Sequence, residues 1–427
     1  MKVTLIRQDV FKLAVPILAE QLFVASLGMV NTMMAGHISK EAVSAIGMVD
    51  SFNNILIAFF SSLAVGGTVV VAQYIGQKNK KMANNAMKQS LYSGVFIALV
   101  ITLLIFLFKQ QLIYVLYGSA DKIVINYAKI YFGITIITYP MIALDLIANG
   151  VLRGSGDSKT PMKITMFMNI VNVILSYSLI YGINLKIAGF HLYTSGMGVR
   201  GAALGIAIAR TIGGLLALLI LIRGTRILKL TKLFSFRFNK NLLRPIFGVG
   251  IPAGVESLMF NGGKLITQVF IVGMGTISIA SNTIGNSIAN MLNIPGTAFS
   301  IAATALVGQY MGKGDSDEAE KCLSYLFKMT TVCLVVICVF SVPTARIWTS
   351  LYTTNVETID LTTKLLKINA LCIPIWSISF VIPAGLKGAG DAKYTMVTTI
   401  IGMWVFRIVM GYILGINLGF GLIGVWM

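Results

Sequence analysis

Arg153-Gly154-Ser155-Gly156-Asp157-Ser158-Lys159 returns later in the chain as Lys387-Gly388-Ala389-Gly390-Asp391-Ala392-Lys393. Each copy stands between two long apolar runs. The physics of such a turn is simple. Glycines permit a tight reversal. The aspartate can cap the helix that follows, and Lys159 and Lys393 hold this end in water. In the first copy Pro161 suits the first turn of the next helix. Taken singly, these are ordinary turn residues. In register as a pair, they reveal a duplication.

Working outward, Pro16-Ile17-Leu18-Ala19-Glu20 matches Pro252-Ala253-Gly254-Val255-Glu256. The segment from Asp50 to Asn54 aligns with that from Asn286 to Asn290, and Gln73-Tyr74-Ile75-Gly76 matches Gln309-Tyr310-Met311-Gly312. All three pairs share one offset, and the turn pair follows with a small slip. Apolar runs long enough to cross a bilayer fall at 13–35, 44–73, 89–108, 126–150, 162–183, 199–222, 246–272, 279–309, 323–345, 365–385 and 395–416. That is eleven helices. Gly421 to Gly424 resembles Gly198 to Gly201, which opens the sixth, so a twelfth helix is expected to begin there. It reads as truncated, with about 20 further residues needed to complete a span. Two six-helix halves insert the same way up. The expected fold is an all-α polytopic membrane protein with a 6+6 parallel repeat in two lobes, substrate sitting between them near the midplane. The N-lobe is 1–222, a cytoplasmic linker is 223–245, and the C-lobe is 246–427.

Composition agrees. The 427 residues are 56% hydrophobic and only 11% charged, which excludes a soluble domain of this length. Alternating short strands are absent, which argues against a β-barrel. The net charge of +19 invites a nucleic-acid partner, but its placement argues against one. Lys78, Lys80, Lys81 and Lys88, then Arg153, Lys159 and Lys163, then Arg223 to Arg244, occupy every second loop. The alternate loops carry only Lys40, then Lys186 and Arg200. This is the positive-inside pattern of a multi-pass protein of the cell's inner (plasma) membrane with a cytoplasmic N-terminus. The basic connection 223–244 reads as an anchor on anionic lipid. The first apolar segment is too long for a signal peptide and reads as a retained helix. Cys322, Cys333, Cys338 and Cys372 show no metal-ligand spacing, and no disulfide is expected on a reducing side. His37 and His191 fall in outer loops. No metal or cofactor is expected, and no nucleophile–base pair or phosphate loop marks an enzyme.

Ionisable groups inside the membrane are costly and by default functional. Glu20 lies roughly 12 Å above Lys12, Asp145 a similar distance above Arg153, and Glu256 roughly 18 Å above Arg244. Together they form an acidic layer. Asp50, Lys264, Arg210 and Arg407 form a second, mostly basic layer nearer the outside, level with Asn286. The functional reading has Glu20 and Glu256 facing a central cavity from the two lobes, Asp145 beside them, and Asn31 and Asn172 as neutral ligands. A buried carboxylate is relieved equally by a proton or a bound cation, so proton or sodium would compete there with an organic cation. The structural reading has Glu20 and Glu256 merely hydrogen-bonded between helices, with Asn54, Asn282, Asn286 or Asn290 as partners, and Asp50 paired with Lys264. Met29, Met33, Met34, Met259, Phe260 and Met291 line either a greasy cavity or the lipid face.

Several segments together resemble the multidrug and toxic compound extrusion (MATE) transporters. They are Met29 to Gly36, the two Gln-x-x-Gly segments, Leu152 to Met162, Asn172 to Gly182 and Gly201 to Gly205. The resemblance covers essentially the whole chain. It implies an antiporter, coupled to H+ or Na+, that exports organic and mostly cationic small molecules; a monomer is expected. It also implies V-shaped lobes alternating between outward-open and inward-open forms. The chain departs from the family where many members carry acids: it has Asn31, Ser176 and Phe260 instead. The alternative is a lipid-linked precursor flippase of the same superfamily, for which Lys264, Arg210 and Arg407 would have to line one basic cavity.

Overall fold

The computed structural model describes residues 2–118, 120–187, 190–231 and 238–426. The first half comprises α1 (Lys2–Gly36), α2 (Lys40–Gly76), α3 (Lys80–Tyr117), α4 (Lys122–Thr135), α5 (Tyr139–Gly154), α6 (Lys159–Tyr181) and α7 (Val199–Arg223). A single 3-10 turn, Ile136–Thr138, joins α4 to α5 into one span. A short antiparallel hairpin, β1 (Gly182–Ile187) with β2 (Phe190–Ser195), connects α6 to α7. The second half comprises α8 (Lys240–Val272), α9 (Thr276–Leu292), α10 (Ile294–Gly312), α11 (Ser316–Ser350), α12 (Val356–Ala389) and α13 (Ala392–Ile400). Helix α13 runs on through π-helical turns, with α14 (Val409–Tyr412) between them, and α15 (Gly421–Trp426) follows.

Among the described residues ten helices are long and apolar enough to cross a membrane, or eleven with the bent pair α9–α10 taken as one. These eleven coincide with the eleven apolar runs, most extending past the run at one or both ends. Only helices satisfy every backbone group in lipid, so the ladder continues until water is reached. The expected straight span 279–309 is the exception: α9 and α10 meet at 49°. Pro295, in the first turn of α10, supplies no amide hydrogen and disfavours helix at the residue before it.

Polar termini set the other ends. Ser39, Asn79, Asp315 and Asn355 each accept a backbone N–H from the first turn of the helix they precede. Both duplicated aspartates cap as expected. Asp157 accepts from Thr160 N at 3.1 Å, and Asp391 from Tyr394 N at 3.1 Å. Gly156 and Gly390 adopt φ of +91° and +101°, which only glycine takes without strain.

The two halves meet on the side of the basic loops. Val10, Leu13 and Ile17 of α1 share one buried cluster with Ala298, Ala302 and Leu306 of α10. Gly66 of α2 lies so close to the backbone at Ile246 and Gly250 of α8 that no side chain would fit. The duplicated glutamines cross between the halves. Gln309 Nε2 donates to the Gly154 carbonyl at 2.8 Å, and Gln73 Nε2 donates to the Gly388 carbonyl at 3.4 Å. Each half thus reaches into the other's duplicated turn.

The described part of the connection between halves also packs on protein. Leu228 and Leu230 are buried in the core of the first half. Lys229 N and Asn239 N donate to Asn84 and Gln89 of α3. Leu228 and Leu230, interleaved among the basic residues, dock this part onto protein. Helix α8 already begins at Lys240 and passes through Pro245.

Candidate functional site

Helices α1, α5 and α6 bring three polar groups together in the first half. Arg153 Nη2 donates to Glu20 Oε1 at 2.6 Å, and Thr165 Oγ1 donates to the same oxygen at 3.0 Å. Glu20 is 3% exposed. Its second oxygen has no hydrogen-bond partner among the described residues, and neither has Arg153 Nε. Asp145, two turns before Arg153 on α5, accepts from Asn149 Nδ2 at 3.0 Å and interacts electrostatically with both Arg153 and Glu20. Two carboxylates therefore face one guanidinium.

The second half builds the matching site without that surplus. Lys387 Nζ donates to Glu256 Oε1 at 2.8 Å, and Thr395 Oγ1 donates to Oε2 at 3.1 Å. Both oxygens of Glu256 are engaged. The residue aligned with Asp145 through the duplicated turn is Ser379, so no second acid joins.

Arg153 is thus no loop anchor, as its grouping with loop cations suggested; it turns inward to Glu20. The expected amide partners of Glu20 and Glu256 also give way, to a cation and a threonine. The repeat carries the signal: a glutamate in the first helix and a base just before the glycine turn are kept in both copies. The threonines leave no such trace. Thr165 comes twelve residues after Arg153, but Thr395 only eight after Lys387.

Asn31 and Asn172 do not reach Glu20. Helices α1 and α6 run parallel, since Thr165 meets Glu20 and Tyr181 Oη donates to the Met34 carbonyl at 3.0 Å. Asn31, eleven residues beyond Glu20, comes level with Ser176, eleven beyond Thr165, about 16 Å further along. There Ser176 Oγ donates to Asn172 Oδ1 at 2.8 Å, both residues being buried. Asn31 Oδ1 is buried without a partner among the described residues.

Asp50 belongs to another network. It accepts from Asn53 at 3.3 Å and from Tyr131 at 3.2 Å, while Tyr139 donates to Asn53 at 2.6 Å. Its basic neighbour is Arg210. The expected pairing with Lys264 does not form. Helices α2 and α8 touch at Gly66 and Gly250, and Asp50 and Lys264 stand about 21–24 Å further along them.

Lys264 instead lines a cavity of about 680 Å³ within the second half. Its ammonium lies 4.9 Å from the Phe260 ring centre. Arg407, also lining the cavity, is its charged neighbour. Asn286 faces the same space and donates to Asn282, which in turn donates to Gln268 at 2.8 Å. Phe260 lines this cavity as well, whereas Met34 is buried and Met33 exposed.

Known proteins share this fold and its duplication. The chain is 29% identical to the uncharacterized transporter YisQ of Bacillus subtilis over 98% of its length and 90% of the relative's. It is 27% identical to the probable multidrug resistance protein NorM of Thermotoga maritima, over 99% of its own length and 88% of the relative's. A crystal structure of MATE in complex with MaL6 superposes with a TM-score of 0.90 at 20% identity, covering 99% of this chain and 91% of that one. The family model MatE matches twice, at residues 16–178 and 252–413, once in each half of the duplication. The chain belongs to the MatE family, the multidrug and toxic compound extrusion transporters of the membrane.

Proposed function

We propose that this protein is a secondary antiporter that exports organic, mostly cationic, small molecules in exchange for protons or sodium by alternating access. The lobes are 1–222 and 246–427, joined by 223–245. The protein acts as a monomer in the plasma membrane with its N-terminus in the cytoplasm. The observation that carries the reading is the buried cluster of Glu20, Asp145 and Arg153. With both acids ionised it holds one more negative charge than positive, and Glu20 keeps one oxygen free. A buried surplus charge is costly, so the cluster favours taking up a proton, a sodium ion or an organic cation, one at a time. Asp145 and Glu20 are the acids that take the cation; Glu256 takes the matching position in the other lobe.

The cluster is wired to the contact between the lobes. Arg153 holds Glu20, and the next residue, Gly154, accepts the hydrogen bond from Gln309 of the other half. In the second half Lys387 holds Glu256, and Gly388 accepts from Gln73. Binding a cation at the acids competes with Arg153 for Glu20. That loosens the end of α5 and with it the closure on the basic-loop side. A change of ion occupancy would in this way alter which side is open, as antiport needs. The lipid-linked precursor flippase is the weaker reading, because Arg210 lies with Asp50 rather than with Lys264 and Arg407.

The test is ethidium efflux from pump-deficient bacterial cells expressing the protein, with Glu20→Gln/Glu256→Gln beside it. The expected result is efflux by the wild type, lost in the double variant and abolished by collapsing one gradient, proton or sodium. Unchanged efflux in a well-expressed double variant would overturn the assignment of these acids. No efflux of several cationic dyes would overturn the substrate class.

A further inference from the structure

The cavity in the second half has the opposite character from the acidic cluster. Lys264 and Arg407 both line it. Neither forms an ion pair among the described residues, and no Asp or Glu lines the space. Both side chains are open to this space, and the two like charges repel each other at membrane depth; an anion between them would relieve that repulsion.

A third donor points the same way. Asn369 also lines the cavity and is 8% exposed, yet its side-chain N–H group is buried without a partner. A buried donor left unsatisfied is destabilising, and an acceptor in the cavity would satisfy it. Arg407 lies on a π-helical stretch, Ile401–Ile408. Such stretches are rare in helices and concentrate at functional sites. The rest of the wall adds aromatic surface from Phe260, Trp376 and Phe406. The volume suits a drug-sized molecule.

We infer that this cavity is a binding site for an aromatic organic anion, whose carboxylate is taken by Lys264, Arg407 and Asn369 and whose ring packs on Phe260, Trp376 and Phe406. The guanidinium offers a planar fork that fits a carboxylate. The ammonium supplies the second charge, and the amide an oriented donor. The site differs in ligand charge from the acidic cluster and stands independently of the antiport reading.

The test is equilibrium dialysis of the purified full chain in detergent against 1-naphthoate and, in parallel, against 1-naphthylmethylammonium. The two probes share ring and size but carry opposite charges. Saturable binding of about one naphthoate per chain is expected, with the ammonium probe at least tenfold weaker. Lys264→Met/Arg407→Met should weaken naphthoate at least tenfold, and Asn369→Leu severalfold, in variants that remain monodisperse. Equal binding of both probes, preference for the ammonium, or no saturable naphthoate binding to wild type would each overturn the proposal without any variant. Naphthoate binding unchanged in a monodisperse double variant would overturn it as well. Ethidium efflux is a separate measurement, so either reading can fail while the other stands.

Discussion

Glu20–Arg153 and Glu256–Lys387 occupy equivalent places in the duplication, yet they are not equivalent electrostatically. In the first pair the side chains of Arg153 and Glu20 are 14% and 4% exposed, and one Glu20 oxygen has no hydrogen-bond partner among the described residues. In the second pair the values are 19% and 12%, and both Glu256 oxygens are bound. Asp145 stands beside the first pair and Ser379 at the matching place beside the second. The duplication kept the same scaffold of glutamate, base and glycine turn in both halves. Divergence placed a second acid beside one pair and none beside the other. The difference teaches that one scaffold can hold a glutamate either with a second acid beside it or with every oxygen satisfied.

The largest expected effect separates the two bases. Arg153→Met leaves two carboxylates buried without a counter-charge, which should destabilise the protein by about 3–5 kcal/mol. Lys387→Met removes a more exposed ammonium from a single acid, and about 1–3 kcal/mol is expected. Thermal unfolding of both variants in one detergent compares them, and equal losses would break the asymmetry.

Next comes the surplus acid. Asp145→Asn keeps the ion pair but makes the cluster neutral. Losing a charged interaction of about 1.5–3 kcal/mol corresponds to gradient-driven ethidium efflux at least about tenfold slower. Ser379→Ala in the second half should leave efflux within about twofold. If the two variants behave alike, Asp145 has no special role.

The smallest effect concerns the crossed glutamines. Gln309→Leu removes a 2.8 Å bond between the halves, worth about 1 kcal/mol. That shifts the balance of closed and open forms about fivefold. Gln73→Leu removes a 3.4 Å bond at the limit of useful geometry and should shift it less. Spin-label distances across the basic-loop face would read both. A larger shift from Gln73→Leu would reverse the expected ranking.

Helix number and the two-half repeat could be read directly. Span length is set by the thickness of the bilayer and the repeat by matching residues, and neither depends on which side chains meet. The eleven runs therefore became eleven spans, and only Pro295 bent one of them. The acidic residues of the inner layer were also legible, since a glutamate at membrane depth stands out in any apolar run. Their partners were not. Arg153 looks the same in sequence whether it stands in water or folds back on Glu20, because both fit a helix end before a glycine turn.

Sequence by itself determined that this is a membrane-spanning helical duplication carrying acids in both halves, because hydropathy and repetition are local properties. Tertiary structure decided which charges are compensated. It separated Asn31 and Asn172 from Glu20 and gave Asp50 to Arg210. Among the described residues it left Lys264 and Arg407 without an ion pair and the Asn369 amide nitrogen without a hydrogen bond, all around one cavity. Compensation depends on distances of a few ångströms between residues over a hundred positions apart. Helix packing sets those distances, and no local pattern records them.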